Sequence, residues 1–326
     1  MQVFAQRYGF LAGLVGAVLA GIFLPLPDRS NTTSLADWLP LVGVWLVFFR
    51  QGISLPTREL AAGRDPLRLH AFVLGWNFLL FPLATAGLLL LAGAWAGPEL
   101  RMGFRLLSIM PTTIASAIAL TTASGGNTAN AIFSTVYSNL FAVVWVPLAS
   151  LLYLSLSGGP QPGLVAMLTK LGLLIALPLF LGQVARRALP GPANRLSAST
   201  PWFCPMVILL LVYEAFSESV QSGGLAALPF KDLAGATTLS SALLLLVSGL
   251  TWWSAGQLRL SRESRIAAFY CASQKSLATG LPLATTVIAA SGRAEDTALL
   301  LLPMLLFHPM QLLLAGLLQA LPGKKN

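Results

Sequence analysis

The chain has 326 residues, is 56% hydrophobic and carries only 10% charged residues, well under the roughly 25% of a soluble domain. So little charge excludes a water-facing globule, and a mean hydropathy of +0.77 makes lipid the outer solvent. The formal net charge of +9 fits Lys and Arg flanking membrane spans better than a nucleic-acid footprint, so no nucleic-acid partner is expected.

In lipid only helices and closed barrels satisfy their own backbone. A spanning helix needs about 20 apolar residues, a barrel strand about 10. The apolar runs Leu74 to Ala94 and Leu299 to Leu321 are too long for strands. The expected fold is therefore an all-α polytopic bundle with ten transmembrane segments. In chain order these are predicted at 8–26, 36–54, 70–93, 100–123, 128–154, 164–187, 198–216, 235–257, 265–290 and 296–321. Connectors carry turn chemistry: Pro25-Leu26-Pro27-Asp28, Gly158-Gly159-Pro160, Pro190-Gly191-Pro192 and Ser222-Gly223-Gly224. No loop is long enough for a soluble domain, so residues 1–326 read as one transmembrane domain. No removed signal peptide is expected. Cys204 and Cys271 both fall in apolar segments, which argues against a disulfide framework or a metal site.

Placing both termini in the cytoplasm puts basic residues inside by about two to one over outside, the bias of an inner-membrane protein. Arg101 and Arg105 run against it. Thr121-Thr122-Ala123-Ser124-Gly125-Gly126-Asn127-Thr128-Ala129 and Ala289-Ala290-Ser291-Gly292-Arg293-Ala294-Glu295-Asp296-Thr297-Ala298 are both Ala-Ser-Gly turns after a polar, interrupted segment. Five spans on either side would face opposite ways, the inverted-repeat plan of many secondary transporters. The repeats would cover about 8–154 and 164–321.

Segments 4 and 9 are not plain apolar rods. One holds Pro111-Thr112-Thr113-Ile114-Ala115-Ser116, the other Ser273-Gln274-Lys275-Ser276-Leu277-Ala278-Thr279-Gly280-Leu281-Pro282. Proline removes a backbone donor and clashes with the preceding turn. Paired interrupted helices point to a transport site, because half-helix ends expose amides to anions and carbonyls to cations. Lys275 is the sharpest residue. A cation inside a span costs about 2.5 kcal/mol or more, so it needs a partner, a cavity or a lost proton. It is either a substrate-anion partner or proton carrier, or a lysine that snorkels or pairs with helix carbonyls. Asn77 in segment 3 is a polar-site ligand or an interhelical hydrogen bond. Asn127 and Asn130 open segment 5, with Thr135 and Ser138 further on; Asn127 is a ligand or a helix cap. His308 beside Pro309 is a proton relay or structural.

At these residues the chain resembles the bile acid–sodium symporter superfamily, and most of all its subgroup around the seventh member of solute carrier family 10. The motifs that carry the resemblance are Pro111 to Ser116 with Ser124-Gly125-Gly126-Asn127, and Phe269-Tyr270-Cys271-Ala272-Ser273-Gln274-Lys275-Ser276-Leu277-Ala278-Thr279-Gly280. The resemblance implies ten helices in two inverted five-helix repeats. Segments 1, 2, 6 and 7 would form a panel and 3–5 with 8–10 a core, with segments 4 and 9 broken and crossing. The candidate substrate or ion site comprises Asn77, Thr112, Thr113, Ser116, Asn127, Asn130, Thr135, Gln274, Lys275, Ser276 and Thr279. Against the sodium-coupled pattern, Asn77 stands for a glutamine and Ala117 for an asparagine. Ala131 stands for a serine, Cys271 for the key glutamate and Lys275 for a glutamine. Ser116 and Thr135 are kept, so a vestigial sodium site would lie near Ser116, Thr135 and Cys271.

A Lys⁺ and a Na⁺ about 4 Å apart repel by roughly 4 kcal/mol at an effective dielectric of 20. The expectation is that Lys275 takes the place of a bound cation. The chain would then move a small organic anion by alternating access, sodium-independent or proton-coupled, with Na⁺ or H⁺ as candidate coupling ion and no cofactor. The alternative is a non-transporting membrane regulator or scaffold. An intramembrane enzyme is disfavoured, because no Asp or Glu falls deep in a span and there is no His-Glu-x-x-His. No P-loop for ATP is present.

Overall fold

A computed structural model describes residues 2–26, 35–54, 67–156, 169, 172–198, 200–221, 230–290 and 297–320. The described residues are helical, with no strand among them. The helices are α1 Gln2–Phe23, α2 Leu35–Ser54, α3 Leu67–Ala92, α4 Pro98–Ile109, α5 Ala115–Ala123, α6 Thr128–Leu156 and α7 Leu177–Ala188. They continue as α8 Pro190–Ala198, α9 Thr200–Gln221, α10 Phe230–Gln257, α11 Arg262–Ser273, α12 Leu277–Ala290 and α13 Thr297–Ala320. Within the described residues, four stretches are long and apolar enough to cross a bilayer: 67–92, 128–153, 231–257 and 297–319. Shorter apolar helices run Ala12–Phe23, Leu41–Ser54 and Phe203–Ser217. Leu90 and Leu91 on α3 are 80% and 87% exposed, which suits acyl chains and not water. The chain is a polytopic helical membrane protein.

Prolines set several boundaries. Pro190-Gly191-Pro192, expected as a connector, instead opens α8, because proline at the first helical position loses no hydrogen bond. α3 is ordinary α-helix over Leu67–Gly75 and passes directly into a π-turn at Trp76–Leu80. The turn after α5 is as glycine chemistry dictates. Gly125 takes φ +71°, Gly126 N–H donates to Thr121 O at 2.8 Å and Gly125 N–H to Thr122 O at 3.1 Å, the paired bonds of a Schellman cap. The predicted turns at 158–160, 222–224 and 291–296 lie outside the described residues, as do 164–168 of segment 6.

The chain forms two compact units. The first comprises 1–55, 154–228 and 281–299. In it, α2 and α7 meet backbone to backbone: a Cβ on Gly52 would lie 2.2 Å from Leu179 O, and one on Gly182 2.2 Å from Phe49 O. Such close approach needs glycine on both helices. α1 and α9 pair similarly, with Gly21 against Tyr213 O, and Leu26 N–H donates to Ser217 Oγ at 2.6 Å. The second unit comprises 56–153, 229–280 and 300–326, and it holds the polar residues singled out above.

Candidate functional site

Two short gaps interrupt helix in the second unit. Residues 110–114 separate α4 from α5, and 274–276 separate α11 from α12. The gaps touch: Ser276 N–H donates to Pro111 O at 2.9 Å. Met110 before Pro111 is extended, at φ −70° and ψ 152°, as a pre-proline residue prefers. Gln274 is likewise extended, at φ −98° and ψ 149°.

Lys275 is 1% exposed and among the largest fully buried side chains. Its Nζ donates to the carbonyls of Asn77, Ser108 and Met110, each at 2.8 Å. Three acceptors match the three donors of an ammonium group. The Phe81 ring adds a cation–π face, its centroid 4.2 Å from Nζ.

Two prolines free these carbonyls. In an α-helix Asn77 O would accept from Phe81 N–H, but the π-turn sends that donor to Trp76 O. The next candidate donor is at Pro82, which has no N–H. Ser108 O loses its helical partners similarly. Pro111 has no N–H, and Thr112 N–H donates instead to Ser138 Oγ at 3.2 Å. Met110 O lies beyond the end of α4. Sequence thus builds a carbonyl seat, and Lys275 fills it.

The backbone of the gaps is satisfied by side chains. Gln311 on α13 accepts from Lys275 N–H through Oε1 at 2.8 Å and donates Nε2 to Lys275 O at 2.8 Å. The same Nε2 lies 2.8 Å from His308 Nδ1. With both amide hydrogens so used, His308 Nδ1 is the acceptor, which makes its 3.3 Å approach to Lys275 O a contact between acceptors. Asn139 on α6 reaches both gaps: Nδ2 donates to Thr112 O at 3.0 Å and Thr135 O at 2.8 Å, while Oδ1 accepts from Thr279 Oγ1 at 3.0 Å.

The expected site residues fall in three places. Asn77, Thr112, Thr113, Ser116, Gln274, Lys275, Ser276 and Thr279 line the paired gaps. Asn77 donates to Val73 O at 3.0 Å and Cys271 O at 2.9 Å, and its buried Oδ1 has no partner. Thr112 Oγ1 is also buried and unpartnered. Ser116 Oγ donates to Thr113 Oγ1 at 2.8 Å and Gln274 Oε1 at 3.3 Å. Ser276 Oγ caps α12, accepting from Thr279 N–H at 3.0 Å. Thr135 and Cys271 turn to α6 backbone: Thr135 Oγ1 donates to Ile132 O at 2.9 Å and Cys271 Sγ lies 3.7 Å from Ala131 O.

Asn127 and Asn130 sit apart from Lys275, at the other end of α11, about 18 Å along that helix. Asn127 Oδ1 caps α6 by accepting from Asn130 N–H at 2.9 Å, and Asn130 Nδ2 donates to Ser264 Oγ at 3.0 Å. Among the described residues no group of three His, Cys, Asp or Glu could hold a metal. The residues the sequence reading passed over are Asn139, Gln311, Ser108 and Phe81.

The SBF-like CPA transporter family description matches residues 8–321. Similar proteins cover the same length. The uncharacterised protein PA2026 of Pseudomonas aeruginosa is 33% identical over 95% of this chain and 91% of its own. Sodium/bile acid cotransporter 7 of Danio rerio is 31% identical over 87% of this chain and 83% of its own. The protein of that name in Mus musculus is 28% identical, covering 96% and 92%.

Proposed function

We propose a transport mechanism from one premise: the chain belongs to the SBF-like CPA transporter family. In this reading it is a secondary transporter that moves a small organic anion by alternating access. Its ten helices form two inverted five-helix repeats, a panel from segments 1, 2, 6 and 7 and a core from 3–5 and 8–10. It lies in the inner membrane with both termini cytoplasmic.

Support for the mechanism comes from the seat of Lys275. Three carbonyls at 2.8 Å and an aromatic face at 4.2 Å are what a small cation requires in place of water. Here a covalently tethered ammonium occupies that position. A sodium ion beside it would meet like charge, and the glutamate of sodium-coupled relatives is replaced by Cys271. Transport is therefore sodium-independent or proton-coupled. Because all three donors of Lys275 are engaged, the substrate anion reaches the ammonium only after Lys275 leaves this seat. The half-buried Ser116 hydroxyl makes the first contact with it, and the buried Gln274 amide beside it follows.

Proteoliposomes holding the purified chain, screened for uptake of small organic anions in sodium and in choline buffer, test this. The expected result is uptake of at least one anion, unchanged when sodium is replaced and lost in Lys275→Ala. No uptake of any anion favours the regulator or scaffold, and uptake indifferent to Lys275→Ala contradicts the role given to Lys275.

A further inference from the structure

A cavity of about 470 Å³ lies within the second unit, away from the carbonyl seat, lined by Leu245, Ser248, Gly249, Trp252, Phe269 and Leu318 among others. Its volume falls in the roughly 300–1,000 Å³ range of small-molecule sites. Its side is open, since Leu245 is 62% and Trp252 44% exposed. Polar groups in the wall are few. Two of them, Ser124 Oγ and Tyr270 Oη, bond each other at 3.0 Å. Hydrocarbon is the chemistry such a wall accepts.

The rim is cationic. The guanidinium of Arg265 stacks 4.1 Å over the Trp252 ring and donates Nη2 to Trp252 O at 2.9 Å. Its Nε is buried with no partner. Arg262 is exposed on the same helix, and Arg259 in the preceding turn is exposed too. Glu263 is the one acid between residues 259 and 265. An apolar groove with an arginine stacked on its Trp252 wall, in a segment carrying three arginines and one carboxylate, has the charge pattern of an anionic headgroup site.

We infer that this groove seats an anionic phospholipid of the surrounding bilayer, one acyl chain in the cavity and its phosphate against Arg265. The site does not depend on transport. A narrow cleft continues from it, sharing Ser248, Phe269, Leu314 and Leu318, and ends on Gln274 and Gln311. An occupied groove therefore lies next to the side chains that hold the gap at Lys275.

The full chain, purified and delipidated in detergent, is titrated with dioleoylphosphatidylglycerol or dioleoylphosphatidylcholine. Retained lipid is read by native mass spectrometry and stability by thermal shift. Arg265→Gln removes the one guanidinium that touches the groove wall. Gly249→Phe fills the groove at a position where an added Cβ meets nothing within 4 Å, with Gly249→Leu as the second variant should the ring cost the fold. The expected result is retention of the anionic lipid over the zwitterionic one. Retention falls about fivefold in Arg265→Gln and is lost in the filled groove, whose lipid-free Tm matches wild type. Equal retention of both lipids, no retention, or retention indifferent to filling the groove overturns the inference. A changed oligomeric state in Gly249→Phe also overturns it, because the groove is then an interface between copies.

Discussion

The ammonium of Lys275 lies 2.8 Å from the carbonyl oxygen of Asn77, an oxygen that the π-turn of α3 and the missing N–H of Pro82 leave without a helical donor. Residues 198 apart in sequence thus meet because one proline strips a carbonyl and one lysine needs it. π-turns recur at functional sites, and this one supplies part of the cation seat.

Replacing Lys275 by Met keeps the volume and removes the ammonium. Three buried carbonyls then lose their donor, at about 1 kcal/mol each. Lys275→Met is expected to destabilise the chain by about 3 kcal/mol, read as a fall in Tm of the purified protein. A Tm equal to wild type would mean that the three carbonyls find other partners at no cost.

Asn139 ties the two gaps together through Thr112 O and Thr279 Oγ1. Asn139→Ala is expected to cost about 2 kcal/mol. It is also expected to speed amide exchange at 112 and 275–280 while sparing the middle of α10. Uniform acceleration across the second unit would assign Asn139 a general packing role instead.

Gln311 pairs with both backbone groups of Lys275. Gln311→Leu leaves that N–H and C=O unpaired in a buried gap, an expected loss of about 2 kcal/mol. Gln311→Glu keeps the acceptor and loses the donor, so it should lie between wild type and the leucine variant in Tm. The reverse order would contradict the clamp.

Gly52 and Gly182 allow the contact between α2 and α7. Alanine at either puts a Cβ 2.2 Å from a carbonyl oxygen, overpacking with an expected cost of about 3 kcal/mol, the upper end for inserted methyl groups. Gly87→Ala on α3, where an added Cβ meets nothing within 4 Å, is the control and should be neutral or slightly stabilising. Yield of folded protein by size exclusion separates the three.

Lys275 and the polar stretch broken at Pro111 stood out in the sequence because a charge within a span is rare and proline leaves a visible mark, whereas Pro282 lies inside α12 and the second break falls at 274–276, with no proline of its own. What held Lys275 did not stand out. Its partners are backbone carbonyls of Asn77, Ser108 and Met110, and a carbonyl has no letter in the sequence. The π-turn left one trace, Pro82 five residues after Asn77, which removes the donor that would otherwise close it. Asn139 and Gln311 lie within long apolar helices, where a single amide reads as an interhelical bond with no hint of its target. Asn127 and Asn130 share the polar character of the site residues but serve the start of α6 and α11. Residue type marked them; distance along α11 separates them.

Sodium binding to the purified chain tests the central claim most directly: that the Lys275 ammonium stands where a coupling cation would sit. Radioactive sodium is titrated against wild type and Lys275→Gln at a pH where the lysine proton is followed in parallel by NMR of ¹⁵N-labelled lysine. The account predicts no saturable sodium binding in wild type and its emergence, or a sodium-dependent rise in Tm, in Lys275→Gln. Tight, saturable sodium binding by wild type while Lys275 carries its proton would contradict it.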